Sequence, residues 1–445
     1  MIYRGTSGNL LYDMQLDMHA KHFPGWKAEL SLYNAIMARG FAADGKTLKM
    51  DFAKWDPRQR RLMVDLTLQM AGGSSGYLGT ATSKNLQTAA QNVQGKVVAY
   101  DFAGIAHAFQ YDTVLSKLAA GADGAERSYV RDMLVQEMET FKNNANLINC
   151  FGYDATLIAS GASYASGSQL ITIDPGISVQ NLYIGQLVQD TTAVSTSLSS
   201  GAPVANYHGL ISAITKNDQG GYNISYTHYD GSTGCQFTSS ATSVHLHGQY
   251  QVSPYGLRDF VTANNTVGDL ARSTYTAYNP TVYAASQVTG FQDDPCYGLM
   301  AVSAEVKRNC NNSQKPNLVL MSEITAMWMQ KKYASRLKFD QGLKAPSDSK
   351  KAFGYDPIFQ VSPTMTAFVC DNIPDGEMWG FAAENVGVTQ LPGENGPNYI
   401  DLLAGGEKGI RIHGTLTNET GLVWYYQMYA RHLAGFFRIH SIALT

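Results

Sequence analysis

The sequence predicts a mixed α+β fold, and three features of its 445 residues carry this prediction. Residues 123–152 have the apolar spacing of one long amphipathic helix. Residues 169–250 are rich in Ser, Thr, Gly and Tyr in short alternating runs, which are typical of antiparallel strands. From residue 256 onward, helical and strand-like segments alternate up to a final strand at 435–444.

Composition excludes several classes of protein. The chain is 44% hydrophobic, so it can bury a sizeable core, and its charged fraction of 16% is low. A net charge of −3 does not fit a basic nucleic-acid binder. Five widely spaced cysteines, an odd number, indicate reduced thiols rather than a disulfide framework or a zinc site. Neither a signal-peptide core nor a membrane span is expected.

The long helix has one apolar face. Asp123 and Glu126 fit a capping box at its start, and Gly152 offers a left-handed stop at its end. Its apolar residues recur at three- and four-residue steps, so we predict that it lies across a sheet. The predicted core face consists of Val130, Leu134, Met138 and Phe141, continued by Ala145 and Ile148.

The N-terminal third is predicted around one projecting segment. Residues 71–95 contain five glycines and almost no large apolar residue, which favours a loop or long hairpin that leaves the body of the protein. The other segments are predicted, in order, as an extended arm at 1–26, a helix at 27–39, a short helix or strand at 58–70, a strand at 96–102 and a helix at 105–119.

The C-terminal half has clearer local signals. The turn sequence at 217–221 separates two strands of a predicted hairpin. Ser322 is a predicted cap for a helix that carries Ile324, Met327, Trp328 and Lys331 at helical spacing. Pro374-Asp375-Gly376 predicts a type I turn. The remaining elements are predicted as a helix at 295–311 and strands at 317–321, 366–370, 377–381, 409–416, 422–429 and 435–444.

Candidate chemical motifs are weak, and no catalytic residue, cofactor or metal is predicted. Residues 40–47 match a P-loop pattern, but no buried strand precedes them, which favours a helix-ending loop. His245 and His247 alternate without a third ligand, which favours a solvated strand face. Asp293 and Asp294 indicate a turn before Pro295. The aromatic stripe is interpreted as core and interface, and consists of Trp424, Tyr425, Tyr426 and Tyr429.

The order of these segments resembles the major capsid protein of tailed bacteriophages. The resemblance is carried by the arm, the Gly-rich loop, the long helix and three later stretches: NLVLMSEITAMWMQ from 317, FVCDNIPDGEMWGF from 368 and GFFRIHSIAL from 435. It implies a Hong Kong 97-type phage capsid fold with an N-terminal arm, an extended loop, a long spine helix in a peripheral domain, an axial α/β domain and a β-rich insertion.

This resemblance also implies domain boundaries. They are an N-terminal arm and first helix at 1–56, an extended loop with flanking strands at 57–122, a peripheral domain with the spine helix at 123–165, a β-rich insertion at 166–255, an axial domain with parts of the peripheral domain at 256–430 and a C-terminal strand at 431–445.

The implied function is that of a non-enzymatic shell protein. It would assemble with itself into hexamers and pentamers of an icosahedral capsid that encloses double-stranded DNA without reading its sequence. Scaffold, portal and cement proteins are the other implied partners, and the implied location is the virion, assembled in the host bacterial cytoplasm. Arg58, Arg60 and Arg61 are candidate phosphate contacts in the lumen. The implied intersubunit loop residues are Gly76, Tyr77, Leu78, Gly79, Lys84 and Asn85.

Three alternatives stay open at this point. An encapsulin-like nanocompartment shell would share the fold. A β-rich carbohydrate-binding or adhesin module would fit the Tyr-rich stretch 207–255, although it has no need of the long helix. A hydrolase is the third alternative. The sequence places no nucleophile, acid/base pair or metal set, and this counts against it.

Overall fold

The structure of the protein is a computed structural model, and within its described residues the chain is a mixed α/β protein with several sheets and few helices. None of the helices in this part is long and apolar enough to cross a membrane. The described residues are 53–56, 61–67, 95–101, 103–112, 123–158, 161–164, 169–175, 177–189, 208–227, 243–310, 315–334, 358–362, 365–370, 372–390, 397–399, 410–411 and 417–444.

Several predicted segments lie outside these residues. They are the arm at 1–26, the helix at 27–39, the P-loop match at 40–47 and residues 71–94 of the projecting loop.

The long helix predicted at 123–152 is present as a helix of 29 residues. It is about 40 Å long at the helical rise of 1.5 Å per residue. It ends at Phe151, and Gly152 follows with φ of +73°, the left-handed conformation expected of a glycine stop. The helices are α1 (Asp123–Phe151), α2 (Leu257–Val261), α3 (Pro295–Asn309) and α4 (Glu323–Ala334).

The strands form five sheets in the described part of the chain. In chain order they are β1 (Ala53–Asp56), β2 (Arg61–Thr67), β3 (Gly95–Asp101), β4 (Ala103–Asp112), β5 (Thr156–Ile158), β6 (Ala162–Tyr164), β7 (Leu170–Ile173), β8 (Leu187–Gln189), β9 (His208–Lys216), β10 (Tyr222–Thr227), β11 (Val244–Leu246), β12 (Thr266–Val267), β13 (Leu270–Ala271), β14 (Thr281–Ala284), β15 (Leu318–Met321), β16 (Ile358–Ser362), β17 (Met365–Val369), β18 (Met378–Phe381), β19 (Val386–Gln390), β20 (Asn398–Tyr399), β21 (Ile410–Arg411), β22 (Thr417–Ala430) and β23 (Phe437–His440).

A seven-stranded sheet occupies the Ser/Thr-rich part of the chain, in the order β5-β11-β8-β9-β10-β7-β6. The predicted hairpin is present, because β9 and β10 pair antiparallel around the turn at 217–221. Asn217 stabilises this turn, since its side-chain oxygen accepts hydrogen bonds from the backbone N–H of Gln219 and Gly221. The sheet begins at β5, directly after α1, and therefore starts before the predicted insertion boundary at 166.

A six-stranded mixed sheet, ordered β14-β23-β18-β15-β17-β16, forms the centre of the C-terminal half. Its strands β15 and β18 are buried on both faces. Leu318 and Leu320 of β15 point into the core cluster that contains α1. Val319 and Met321 point into a second cluster, which contains α3 and α4. Both of those helices therefore cover the same face of this sheet.

Strand β4 corrects one prediction. Residues 105–119 were expected to be helical, but Ala103–Asp112 is a strand that pairs antiparallel with β22 over ten residues. The alanines of this segment favour a helix locally, and the long pairing with β22 overrides that weak preference. The same strand β22 also pairs with β19, β20 and β21.

The predicted cap at Ser322 is present, Asp294 of the predicted turn before Pro295 acts as a second cap, and the predicted turn type at 374–376 is wrong. Ser322 Oγ accepts from the backbone N–H of Thr325 at the start of α4. Asp294 accepts from the N–H of Tyr297 and caps α3. The turn at 374–377 closes with a hydrogen bond from Glu377 to Pro374, but Gly376 has φ of +74°. A positive φ at this third position belongs to a type II turn, not the predicted type I.

Candidate functional site

The candidate functional residues are those predicted to build a shell. The structure describes some of them fully, some only by their backbone and some not at all. Leu134, Met138 and Phe141 of the predicted helix face are buried in the core. Val130 lies in α1 and Arg61 in β2, and their side chains lie outside the described features. Outside the described residues lie Arg58, Arg60, Gly76, Tyr77, Leu78, Gly79, Lys84 and Asn85.

Strands β2 and β3 fix the two ends of the predicted projecting loop. They pair antiparallel from Arg61 opposite Asp101 to Thr67 opposite Gly95. Residues 68–94 therefore leave the three-stranded sheet and return to it at directly neighbouring positions. Leu62, Val64 and Val98 of this sheet are buried in the main core, whereas Val97 faces outward. The base of the segment is thus anchored independently of what residues 68–94 contact.

The end of α1 is where three elements meet: α1 itself, strand β22 and the start of α2. Asn149 is fully buried, and its side-chain oxygen accepts a hydrogen bond of 2.7 Å from the Tyr426 hydroxyl on β22. One turn later, the backbone N–H of Tyr153 donates to the Asp259 carboxylate at 2.8 Å. The N–H of Gly256 donates to the same oxygen at 2.9 Å. The helix end is therefore held against β22 and against the start of α2.

Asp259 is buried at this junction, with 7% of its surface exposed. Burial removes water from the carboxylate and raises its pKa to about 7, even though the two N–H donors favour the charged form. The neighbouring Asp154 carboxyl has a raised pKa for the same reason. Two acidic groups that disfavour charge thus lie at the end of the long helix.

Arg272 is a second buried charge beside this junction. Its guanidinium donates to the backbone carbonyls of Phe260 at 3.0 Å and Thr262 at 2.5 Å, and also to the carbonyl of Asp259 and the side chain of Asn265. Burial lowers its pKa to about 10, so it remains charged at neutral pH. These bonds tie α2 to the following chain.

A partly buried ion pair joins Arg438 on β23 to Glu377, the residue directly before β18. Arg438 on β23 donates to both carboxylate oxygens of Glu377, at 2.9 and 2.5 Å, and the Trp379 indole donates to one of them at 2.8 Å. Burial alone would raise the pKa of Glu377, but the Arg438 guanidinium reverses this and holds it below its usual value. The bidentate geometry indicates a structural pair.

The described residues do not assemble a metal cluster. No group of three or more His, Cys, Asp or Glu side chains is placed to hold a metal ion among them. His245 and His247 do not share a solvated strand face, which corrects the prediction. His245 is buried, and its Nδ1 donates to the Asp154 carbonyl at 2.9 Å, whereas His247 is exposed in the turn after β11.

The outer sides of α3 and α4 carry exposed apolar residues. The exposed fraction is 62% for Tyr297 and 50% for Met300 on α3, and 52% for both Ile324 and Met327 on α4. On each helix the two residues are three positions apart and so lie on one side. Sequence spacing grouped Ile324 and Met327 with the buried Trp328, but the structure separates them. Pairs of large apolar side chains facing water are candidates for contact with another molecule.

Three of the four residues of the predicted aromatic stripe on β22 lie in the core, Tyr425 is half-buried, and the interface part of the prediction stays a prediction. Trp424 and Tyr426 are fully buried and stacked with ring centroids 3.9 Å apart, and Tyr429 is 3% exposed. Sequence reasoning missed Asp259, Arg272 and the pair of Glu377 with Arg438, because no local pattern marks them. The only available signal was Gly256 three residues before Asp259, a spacing that occurs at many helix starts.

The chain is similar to solved structures of viral shells and of an encapsulin. One is the cyanophage A-1(L) capsid asymmetric unit, at 9% identity and a TM-score of 0.44, over 90% of this chain and 95% of that chain. A second is from Mycobacterium phage Ogopogo, at 10% identity and a TM-score of 0.39, over 91% of each chain.

A third is the holo-SrpI encapsulin complex of Synechococcus elongatus PCC 7942, at 10% identity and a TM-score of 0.38, over 92% of this chain and 96% of that chain. No protein-family model matches the sequence. No curated protein matches it either.

Proposed function

We propose that this chain is the major capsid protein of a tailed bacteriophage and that it assembles into the hexamers and pentamers of an icosahedral shell. The observation that carries the proposal is the pairing of β2 with β3, which brings the ends of residues 68–94 together at Thr67 and Gly95. A Gly-rich segment poor in core-forming residues gains little by packing on its own subunit. Its proposed contacts lie on a neighbouring subunit, as in the extended loop of the Hong Kong 97 fold.

The described elements support the finer assignment of this fold. Helix α1 has the length of a spine helix, and it joins the sheet around β22 to the seven-stranded sheet. We assign α1 to the peripheral domain and the six-stranded sheet with α3 and α4 to the axial domain. The seven-stranded sheet corresponds to the β-rich insertion.

The exposed apolar pairs on α3 and α4 support self-association. Tyr297 with Met300, and Ile324 with Met327, leave large apolar side chains in water in the single chain. Covering them in a capsomer would bury apolar surface, and each Å² buried contributes roughly 25 cal/mol of favourable free energy. Repeated around a closed ring and shell, small contacts of this kind add to a stable assembly.

The proposed partners follow from the same role. The shell would enclose double-stranded DNA, and Arg58, Arg60 and Arg61 are proposed to contact its phosphates without reading sequence. Scaffold, portal and cement proteins are proposed as assembly partners. The protein would act in the virion, after assembly in the host cytoplasm, and would have no catalytic turnover.

Electron microscopy and sedimentation of the purified full chain test the proposal. Closed shells, or sheets and rings of hexamers, are the expected products at high protein concentration. A monodisperse monomer under the same conditions would contradict it. Co-expression with a candidate scaffold protein extends the test to the procapsid, where shells of uniform diameter are expected.

A further inference from the structure

Two buried cysteines meet between α1 and the six-stranded sheet. The Sγ atoms of Cys150 and Cys370 lie 3.9 Å apart, although the residues are 220 positions apart in the chain. Cys150 is in the last turn of α1, and Cys370 directly follows β17. Both residues have no exposed surface. All four cysteines of the described part are thiols in this structure.

The backbone is held on both sides of this contact. On the helix side, the neighbouring Asn149 is bonded to Tyr426 at 2.7 Å. On the sheet side, the N–H of Cys370 donates to the Met321 carbonyl at 2.9 Å, and its own carbonyl accepts from Ile373 at 3.1 Å. The two thiols are therefore kept together by structure that does not depend on the sulfur atoms.

The approach needed for a covalent bond is small. A disulfide bond has a sulfur–sulfur distance of about 2.0 Å, so the two Sγ atoms must close a gap of about 2 Å. Side-chain rotation together with a small shift of the helix end supplies such a movement. The two other thiols among the described residues are much less well placed, since Cys296 and Cys310 belong to the second core cluster and are distant from this junction in sequence.

We propose that Cys150 and Cys370 form an intramolecular disulfide bond when a small peroxide oxidises them, and that this bond fastens the end of α1 to the six-stranded sheet. One thiolate attacks the peroxide, its O–O bond breaks, and a sulfenic acid and water form. The second thiol then attacks the sulfenic sulfur, and a second water leaves. In sum, two thiols and one hydrogen peroxide give one disulfide and two waters.

Burial sets the conditions for this reaction. The peroxide must reach the thiols through a local opening, so oxidation is slow compared with that of an exposed thiol. In a reducing cytosol the pair stays as thiols, and outside the cell the disulfide persists. Because the bond closes a loop of 220 residues, it restricts the unfolded chain strongly and stabilises the folded one.

Peptide mass spectrometry of the oxidised full chain tests the proposal. The protein is treated with hydrogen peroxide, quenched with catalase, alkylated under denaturing conditions and digested without reductant. The expected product is one linked peptide containing Cys150 and Cys370, lighter than the sum of its parts by two hydrogen atoms. Its yield should rise with peroxide dose, and reductant should abolish it. The midpoint of thermal unfolding should rise by several degrees and return on reduction.

Three variants complete the design. Cys150→Ala and Cys370→Ala should each lose both the linked peptide and the thermal shift. Cys310→Ala removes a different buried thiol and should keep both. Recovery of Cys150 and Cys370 of the unmutated protein only as alkylated thiols or as sulfinic acids would overturn the proposal, and this readout stands even if a variant fails to fold. It is made on the isolated chain, so it is independent of shell assembly.

Discussion

The Asp259 carboxylate lies against Gly152 at the end of α1. A Cβ atom added to residue 152 would lie 1.8 Å from Asp259 Oδ2 and 2.5 Å from the Gly256 backbone nitrogen. Gly152 also has φ of +73°, which L side chains rarely adopt. The helix stop and the close approach of α2 therefore both require glycine at this position.

Gly152→Ala should be strongly destabilising. The positive φ and the overlap with Asp259 act together, and we expect a loss of about 3 kcal/mol or more in the free energy of unfolding. Gly248 is a matched control, because its φ is +72° and a Cβ atom there meets nothing within 4 Å. Gly248→Ala should lose only about 1–2 kcal/mol. Urea unfolding measures both, and equal losses would mean that the close approach has no energetic effect.

Asp259 should make stability depend on pH. Its folded pKa is raised to about 7 by burial, whereas the unfolded carboxyl has a pKa near 3.9. Between about pH 4 and 7 the folded state binds the extra proton, so the contribution of this group to stability falls as pH rises through that window. The slope is at most about 1.4 kcal/mol per pH unit.

Asp259→Asn isolates this effect, because an amide is neutral throughout and retains an acceptor for Tyr153 and Gly256. Urea unfolding from pH 5 to 8 should show that the original protein gains stability relative to the variant as the pH falls below about 7. Parallel curves for the two proteins would contradict the raised pKa.

Met138→Asp should damage folding. Met138 is 7% exposed on the core face of α1, and the substitution would bury a carboxylate without a partner. A loss of more than about 3 kcal/mol is expected, with low soluble yield. Gln136→Asp, at an exposed position of the same helix, should stay within about 0.5 kcal/mol. Thermal unfolding of the two variants makes the comparison.

Met327→Glu should impair assembly and leave the subunit intact. The side chain is 52% exposed, so the subunit should change in stability by less than about 0.5 kcal/mol. A charge in an apolar contact between subunits would weaken every copy of that contact. Lys331→Glu, at an exposed charged position one turn later, is the control. Sedimentation measures how much assembled product each variant forms. An equal loss of assembly in the two variants would argue against an apolar contact at Met327.

Replacing residues 74–92 by a short Gly-Ser turn should separate folding from assembly. Strands β2 and β3 remain paired, and shortening a loop costs the fold little, so circular dichroism of the subunit should be nearly unchanged. Shell formation should fail, because many weak contacts are lost at once. Intact shells of normal size would show that the loop has no part in assembly, and an unfolded subunit would place it in a core.

Elements with a strong local signal were predictable. Helix α1 has a regular apolar spacing from Val130 to Ile148, and Ser322 marks the start of α4. The hairpin of β9 and β10 is marked by the turn residues from Asn217 to Gly221. Each of these depends on residues within a few positions of one another, so the information lies in the local sequence.

Two of the failures share a cause, which is contact with distant residues, whereas the turn at 374–377 differs from its prediction because Gly376 has a positive φ. Residues 103–112 form β4 because β22, about 310 residues later, pairs with them. His245 is buried with its ring nitrogen bonded to the Asp154 carbonyl and the Thr156 side chain, which lie 91 and 89 positions earlier in the chain. Neither partner is visible in the sequence around these residues.

The sequence by itself therefore determined the long helix and its buried face, the hairpin of β9 and β10, and the strand that follows residue 95. Tertiary structure alone decided the strand order of the sheets, the docking of Asp259 against Gly152 and the meeting of Cys150 with Cys370. Pairing between strands and the loss of water around a buried carboxylate or thiol depend on chain segments that are far apart in sequence and are brought together only by folding.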